Sequence, residues 1–152
     1  MTDIMWVRSH VERLLQDEWG ICRTVQDDDG DYHFRHGTAA CWVSILDTGN
    51  VPLVRVFAYA ADGIKPSAAL LRELNDIQLR CATAAVMWSG KRILVSQTIS
   101  PIGLTRPVLA QAVEAVGNVA DDIGLLLAGV FGGSTPYPVE LPESEDEEEE
   151  AA

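Results

Sequence analysis

Thr38-Ala-Ala-Cys-Trp-Val-Ser-Ile-Leu46, the turn Thr48-Gly49-Asn50, and Pro52-Leu-Val-Arg-Val-Phe-Ala-Tyr-Ala60 decide how the chain is read. The first piece is a mostly apolar run, fit for a central strand. The second alternates: Leu53, Arg55, Phe57 and Tyr59 fall on one face, and Val54, Val56, Ala58 and Ala60 on the other. A period of two is the signature of a strand with two unlike faces. Two such runs joined by a tight turn must be antiparallel neighbours.

Upstream, Ile21 to Val25 reads as a short strand and Tyr32 to Arg35 as its return. Between them Asp27-Asp28-Asp29-Gly30-Asp31 is a turn. Asp29-Gly30 is a strong hairpin signal, because both positions tolerate positive φ. Before the strands, residues 4–19 place Ile4, Trp6 or Val7, Val11, Leu14, Leu15 and Trp19 near helical spacing, with charges opposite and Gly20 as a stop. Downstream, Asp62-Gly63 closes the alternating strand. Ser67 is a fitting N-cap for a helix over 68–79. Cys81 to Trp88 reads as a strand, Ser89-Gly90 as a tight turn and Arg92 to Ile99 as the returning strand. Thr105 and Pro107 open a last helix, since proline suits the first turn. Its stripe is Leu109, Val113, Val116, Ala120, Ile123, Leu127 and Val130, and Gly132-Gly133 end it. The order α-β-β-β-β-α-β-β-α predicts an α+β fold, one mostly antiparallel sheet with helices packed on it. Residues 1–131 form the expected domain. Residues 132–152 read as a flexible Gly/Pro linker and acidic tail.

The chain has 152 residues, and 47% of them are apolar, enough for one domain with a real core. The net charge of -12 is unevenly placed. Eight of the 23 acids fall from Glu140 onward, leaving fifteen acids against eleven bases in the rest. Scattered, outnumbered bases argue against nucleic acid or an anionic membrane as partner. The apolar run Ile123 to Gly133 is far short of the ~20 residues a spanning helix needs. The first ten residues carry charges where a signal peptide would be apolar. A cytoplasmic protein is expected. Cys22, Cys41 and Cys81 lie far apart and read as free thiols.

Motifs for chemistry are weak. The aspartates at 27, 28, 29 and 31 lack the spacing and final Glu of a calcium loop, so they read as a solvated turn. His33 and His36 are three apart on an extended segment and point to opposite faces, which disfavours a shared metal. Cys41 sits in an apolar run as a buried, inert thiol. Ser96 and Ser100 lack a nucleophile turn, and the glycines are single turn residues rather than a phosphate loop. The expectation is no enzyme, no cofactor and no metal. Trp6 and Trp19 are 13 residues apart, about 220° out of phase on a helix, so either one faces a partner or Trp19 marks a frayed helix end over the core. Trp42 and Trp88 lie on strands and read as core.

The run Tyr32-His-Phe-Arg-His-Gly-Thr-Ala-Ala-Cys-Trp-Val-Ser-Ile-Leu, then Pro52 to Ala58, Leu74-Asn75 to Arg80, Gly90 to Ser96 and a long final helix, resembles the YbjN family. That family is similar in fold to the small dimeric chaperones of type III secretion. The resemblance covers roughly residues 5–131. It implies a bacterial α+β domain that binds another polypeptide, with no catalytic residues to carry over. The functional expectation is a chaperone-like or adaptor-like homodimer that holds a client protein on apolar surface. Trp6, Trp19, Phe57 and Tyr59 are the candidate contacts. The alternatives are a regulator acting through its acidic tail, which otherwise aids solubility, and a small-ligand sensor.

Overall fold

The structure, a computed structural model, describes residues 3–19 and 25–141, with residues 18, 19 and 25 described by backbone alone. Helix α1 (Ile4–Trp19) leads into strands β1 (Val25–Gln26), β2 (Tyr32–His36), β3 (Ala39–Leu46) and β4 (Leu53–Ala61). Helix α2 (Ala68–Arg80), strands β5 (Ala85–Ser89) and β6 (Arg92–Ile99), and helix α3 (Arg106–Phe131) follow. The six strands form one antiparallel sheet in the order β1-β2-β3-β4-β6-β5. The chain crosses from β4 through α2 to the sheet edge, then returns by a hairpin to place β6 beside β4. This is the expected α+β architecture and element order.

The alternation of β4 sorts the molecule into two sides. Val54, Val56, Ala58 and Ala60 are fully buried. They share one core with Cys41 and Val43 of β3, Val95 of β6, Val7 and Val11 of α1, Leu70 and Leu74 of α2, and Leu109 and Val116 of α3. In α1, Val7 rather than Trp6 takes the inward position. Helix α2 starts on the predicted cap, with Ser67 Oγ accepting from Leu70 N–H at 3.1 Å.

Three local readings change. The Asp27–Asp31 loop has positive φ at Gly30 alone. Its last strand pair is Gln26 with Tyr32, so five residues intervene. A loop of that length is built around an ordinary turn closed by a left-handed glycine rather than around two left-handed residues. Asp27 Oδ1 accepts from the N–H groups of Asp29 and Asp31 at 3.0 and 2.9 Å. The two-residue mirror turn lies instead at Gly90-Lys91, with φ of 57° and 66°, between the paired Ser89 and Arg92. Strand β5 begins at Ala85, not Cys81, because α2 runs one residue further, to Arg80, and Cys81 is its C-cap. Of the strand expected at 21–25, residues 21–24 lie outside the described residues.

The buried face of α3 is also wider than its predicted stripe. Leu109, Val113, Val116, Ala120 and Leu127 are buried, but Val130 is exposed, and Gly117 and Gly124 join the buried set. These two glycines are seven apart, two helical turns, on one side of the helix. A Cβ at Gly117 would stand 2.7 Å from the ring of His36, and one at Gly124 would collide with the Ala60 carbonyl. The helix therefore lies directly on the sheet backbone. Asp121, between them, accepts from Thr38 N–H and Oγ1 at 2.8 and 2.9 Å and pins the β2–β3 turn.

The segment after α3, read from composition as a linker, is bonded to the sheet. Gly132 ends the helix at φ 81°. Ser134 then exchanges two backbone hydrogen bonds with Asp62, at 2.8 and 2.9 Å. Tyr137 N–H donates to Thr38 O at 3.1 Å.

Gly124→Ala should destabilise the fold by about 2 kcal/mol, the cost of overpacking against rigid backbone. Gly129→Ala, where a Cβ meets open space, should be neutral or stabilising. Urea unfolding of both variants checks this; a Gly124→Ala protein as stable as the parent would contradict the close helix–sheet contact.

Candidate functional site

The side of the sheet turned away from the helices carries a continuous aromatic surface. Strand register builds it. His33 of β2 pairs with Trp42 of β3, and Trp42 pairs with Phe57 of β4. Paired residues point the same way, so these side chains stand in a row across three strands. Tyr59 lies two residues along the same face of β4 and pairs with Leu94 of β6. The Trp42 ring is stacked on Phe57 with centroids 5.3 Å apart and an interplanar angle of 11°. Tyr59 meets Trp42 edge-on at 5.3 Å and Phe57 edge-on at 6.0 Å. His33 lies 4.5 Å from Trp42. All four are half-buried. Buried Ala40 and Ser96, small residues on the same face, sit among them and keep the surface shallow.

Arginines border this surface. The Arg55 guanidinium lies 5.4 Å over Phe57, Arg92 lies 4.5 Å over Tyr59, and Arg35 lies 4.8 Å over Tyr137. A guanidinium on a ring face is held there by the ring quadrupole. Arg92 also meets Asp62 at 3.4 Å; its hydrogen bond to Tyr59 leads the effects that raise its pKa, with Asp62 adding to them. Arg35 donates to Pro138 O at 2.8 Å and faces Glu140 at 3.6 Å, an exposed and therefore weak ion pair. Arg55 has no carboxylate within ion-pair distance among the described residues. The outward positions of β2 to β6 include no Asp or Glu at all. The carboxylates that reach this face, Asp31 on Ser44, Asp62 on Arg92 and Glu140 on Arg35, come from beyond the strand ends.

Of the predicted contacts, the fold brings Phe57 and Tyr59 together here. Trp6 is elsewhere: it is half-exposed on α1, stacked on His10 at 5.1 Å, and belongs to the helix layer. The side chain of Trp19 lies outside the described residues. Trp42 does not belong to the core as expected. The run 38–46 looks uniformly apolar, but its inward set is Ala39, Cys41 and Val43, which leaves Trp42 outward between Ala40 and Ser44. Ser44 two residues on was the available signal. Trp88 does pack on the core, and its indole N–H donates to Ile64 O at 2.9 Å.

The remaining candidates are dispersed. On the open face His33 Nδ1 donates to Cys41 O and its Nε2 meets the Tyr137 hydroxyl, while His36 meets Asn118 of α3 on the other. Cys41 is fully buried, and burial first, then the Asp121 charge, pushes its thiol up to about 12. At neutral pH it stays protonated and is no nucleophile. Asp31 is raised, mainly by burial, though Ser44 bonds to it. No cluster of three or more His, Cys, Asp or Glu among the described residues is placed to hold a metal. A groove between α2 and α3 is lined by Ile77, Arg80, Cys81, Val119, Asp122 and Leu126. Among the described residues, no helix is long and apolar enough to cross a membrane.

The comparisons with known proteins agree with this fold. The crystal structure of YbjN, described as a putative transcription regulator from E. coli, superposes with a TM-score of 0.53 at 18% identity, covering 78% of this chain and 92% of that one. At that identity the likeness is one of fold. No curated protein matches the sequence. The family model described as T3SS (YopN, CesT) and YbjN peptide-binding chaperone 1 matches residues 5–139, nearly the whole length. The chain belongs to this family, TY-Chap1, a family of peptide-binding chaperone modules.

Proposed function

We propose that this protein is a non-catalytic, cytoplasmic holding module that docks an extended segment of a client polypeptide across the open face of its sheet. The observation that carries the reading is the aromatic row His33, Trp42, Phe57 and Tyr59, left without a helix over it. Large aromatic side chains give much contact area at little entropy cost, and they dominate binding energy where they cluster. Small neighbours leave room for a chain to lie flat.

Addition of a strand at the β5 edge is a poorer fit. Gln78 of α2 occupies that edge: its Oε1 accepts from Val86 N–H at 2.7 Å and its Nε2 donates to Ala84 O at 3.1 Å. Two of the edge groups a peptide strand would need are thereby already engaged.

Trp42→Ala and Tyr59→Ala should each weaken binding of a client peptide by about thirtyfold, the size of a central hot-spot contact. Leu71→Ala, on the exposed side of α2, should leave affinity unchanged. Peptides selected by display on the full chain and titrated by fluorescence anisotropy make the comparison, with thermal melts confirming folded variants. Equal affinities across all three variants would sink the proposal.

We assign the homodimer contact to the helix layer. Met5 and Trp6 of α1 and Leu125, Leu126 and Val130 of α3 are each more than half exposed there, large apolar side chains for a second copy to cover. Leu126→Asp with Val130→Asp should shift the protein toward monomer in light scattering while peptide affinity is kept; a monomeric parent protein would overturn the assignment.

A further inference from the structure

The segment that follows α3 returns to the open face. Thr135 Oγ1 donates to Tyr137 O at 2.7 Å and braces the turn that carries the tyrosine. The Tyr137 hydroxyl then meets His33 Nε2 at 2.9 Å, next to Trp42. Arg35 lies over the Tyr137 ring, bonds the Pro138 carbonyl and faces the Glu140 carboxylate. Tyr137 thus extends the aromatic row by one member, contributed from outside the sheet by the same chain's Pro-Tyr-Pro-Val-Glu segment. An aromatic side chain sits at the row and an acid three residues later sits on an arginine. Arg55 and Arg92 repeat that pairing of ring and guanidinium further along the face.

We infer that the open face selects client peptides with an aromatic residue flanked by carboxylates, and that Ser134–Glu140 is this chain's own occupant of one end of that site. The inference rests on the proposed docking face and gives its client a chemistry. The outward strand positions carry three arginines and no acid; Asp62 already engages Arg92, so Arg55, and Arg35 once Glu140 leaves it, are the charges that favour acidic peptides over basic ones. The resident segment lowers the face's apparent affinity, because a client that reaches His33 and Arg35 must first displace Tyr137 and Glu140. An intramolecular competitor acts at high effective concentration even when its contacts are weak.

The test uses the full chain, unaltered and as Tyr137→Ala with Glu140→Gln, neither position lying in the core. The probes are two labelled synthetic peptides. One has the sequence of residues 133–143, and the other carries Lys in place of its two Glu residues. The variant should bind the acidic peptide about tenfold tighter than the unaltered chain does, and about tenfold tighter than it binds the Lys peptide. Arg55→Gln should shrink the second difference. Equal binding by the variant and the unaltered chain overturns the resident-occupant claim. Equal binding of the two peptides overturns the charge preference while leaving peptide docking intact. Binding of neither peptide, nor of display-selected peptides, overturns the inference together with the docking face it rests on.

Discussion

The contact between α3 and β4 at Gly124 sets the distance on which the rest of the molecule is built. A helix carrying only larger residues there would stand off the sheet by a side-chain layer. With Gly117 against the His36 ring and Gly124 on the Ala60 carbonyl, α3 meets the sheet backbone itself at Gly124. Leu109, Val116 and Leu127 then reach the pleat on one side, and α1 and α2 complete the same core. Asp121, carried on the same helix, reaches the β2–β3 turn and fixes the strand end that Tyr137 later uses. All three helices are committed to one side of the sheet.

That commitment leaves the second side to the strands alone. A period of two puts every other residue there, and what those residues are becomes a matter of function rather than of core packing. A purely solvated face would be expected to carry Lys, Glu, Thr and Ser. This one carries Trp42, Phe57, Tyr59, Leu53 and Leu94, with guanidinium groups laid over two of the rings. Aromatic surface of that extent is costly to leave in water and is retained where a partner covers it. The acids that make the chain strongly negative are kept to the helix layer, the turns and the residues from Glu140 onward, so charge and apolar contact favour the same kind of peptide.

Much of the fold was legible in the sequence because the signals were local. Alternation in 52–60, the Ser67 cap and the Thr105-Pro107 start each depend on a few adjacent residues. The errors came where a decision was made at long range. Trp42 looked like a core residue until its pairing with Phe57 placed it on the open face. Gly117 and Gly124 gave no apolar signal, and their role exists only because the sheet lies beneath them. Phe57 and Tyr59 were found as candidates from alternation, but their partner Trp42 was not. The Gly/Pro composition of 132–141 hid the contacts of Tyr137, which need His33 and Arg35, more than a hundred residues away in sequence.

The central claim is that the strand side of the sheet, not the helix layer, is where a client peptide lies. Site-specific photo-crosslinking tests it directly, with a photoreactive residue placed at Leu53 or Met87 on the strand side and at Leu71 or Leu126 on the helix side. The account predicts that a bound peptide is captured from Leu53 and Met87 and spared by Leu71 and Leu126. Capture from the helix positions alone would contradict it.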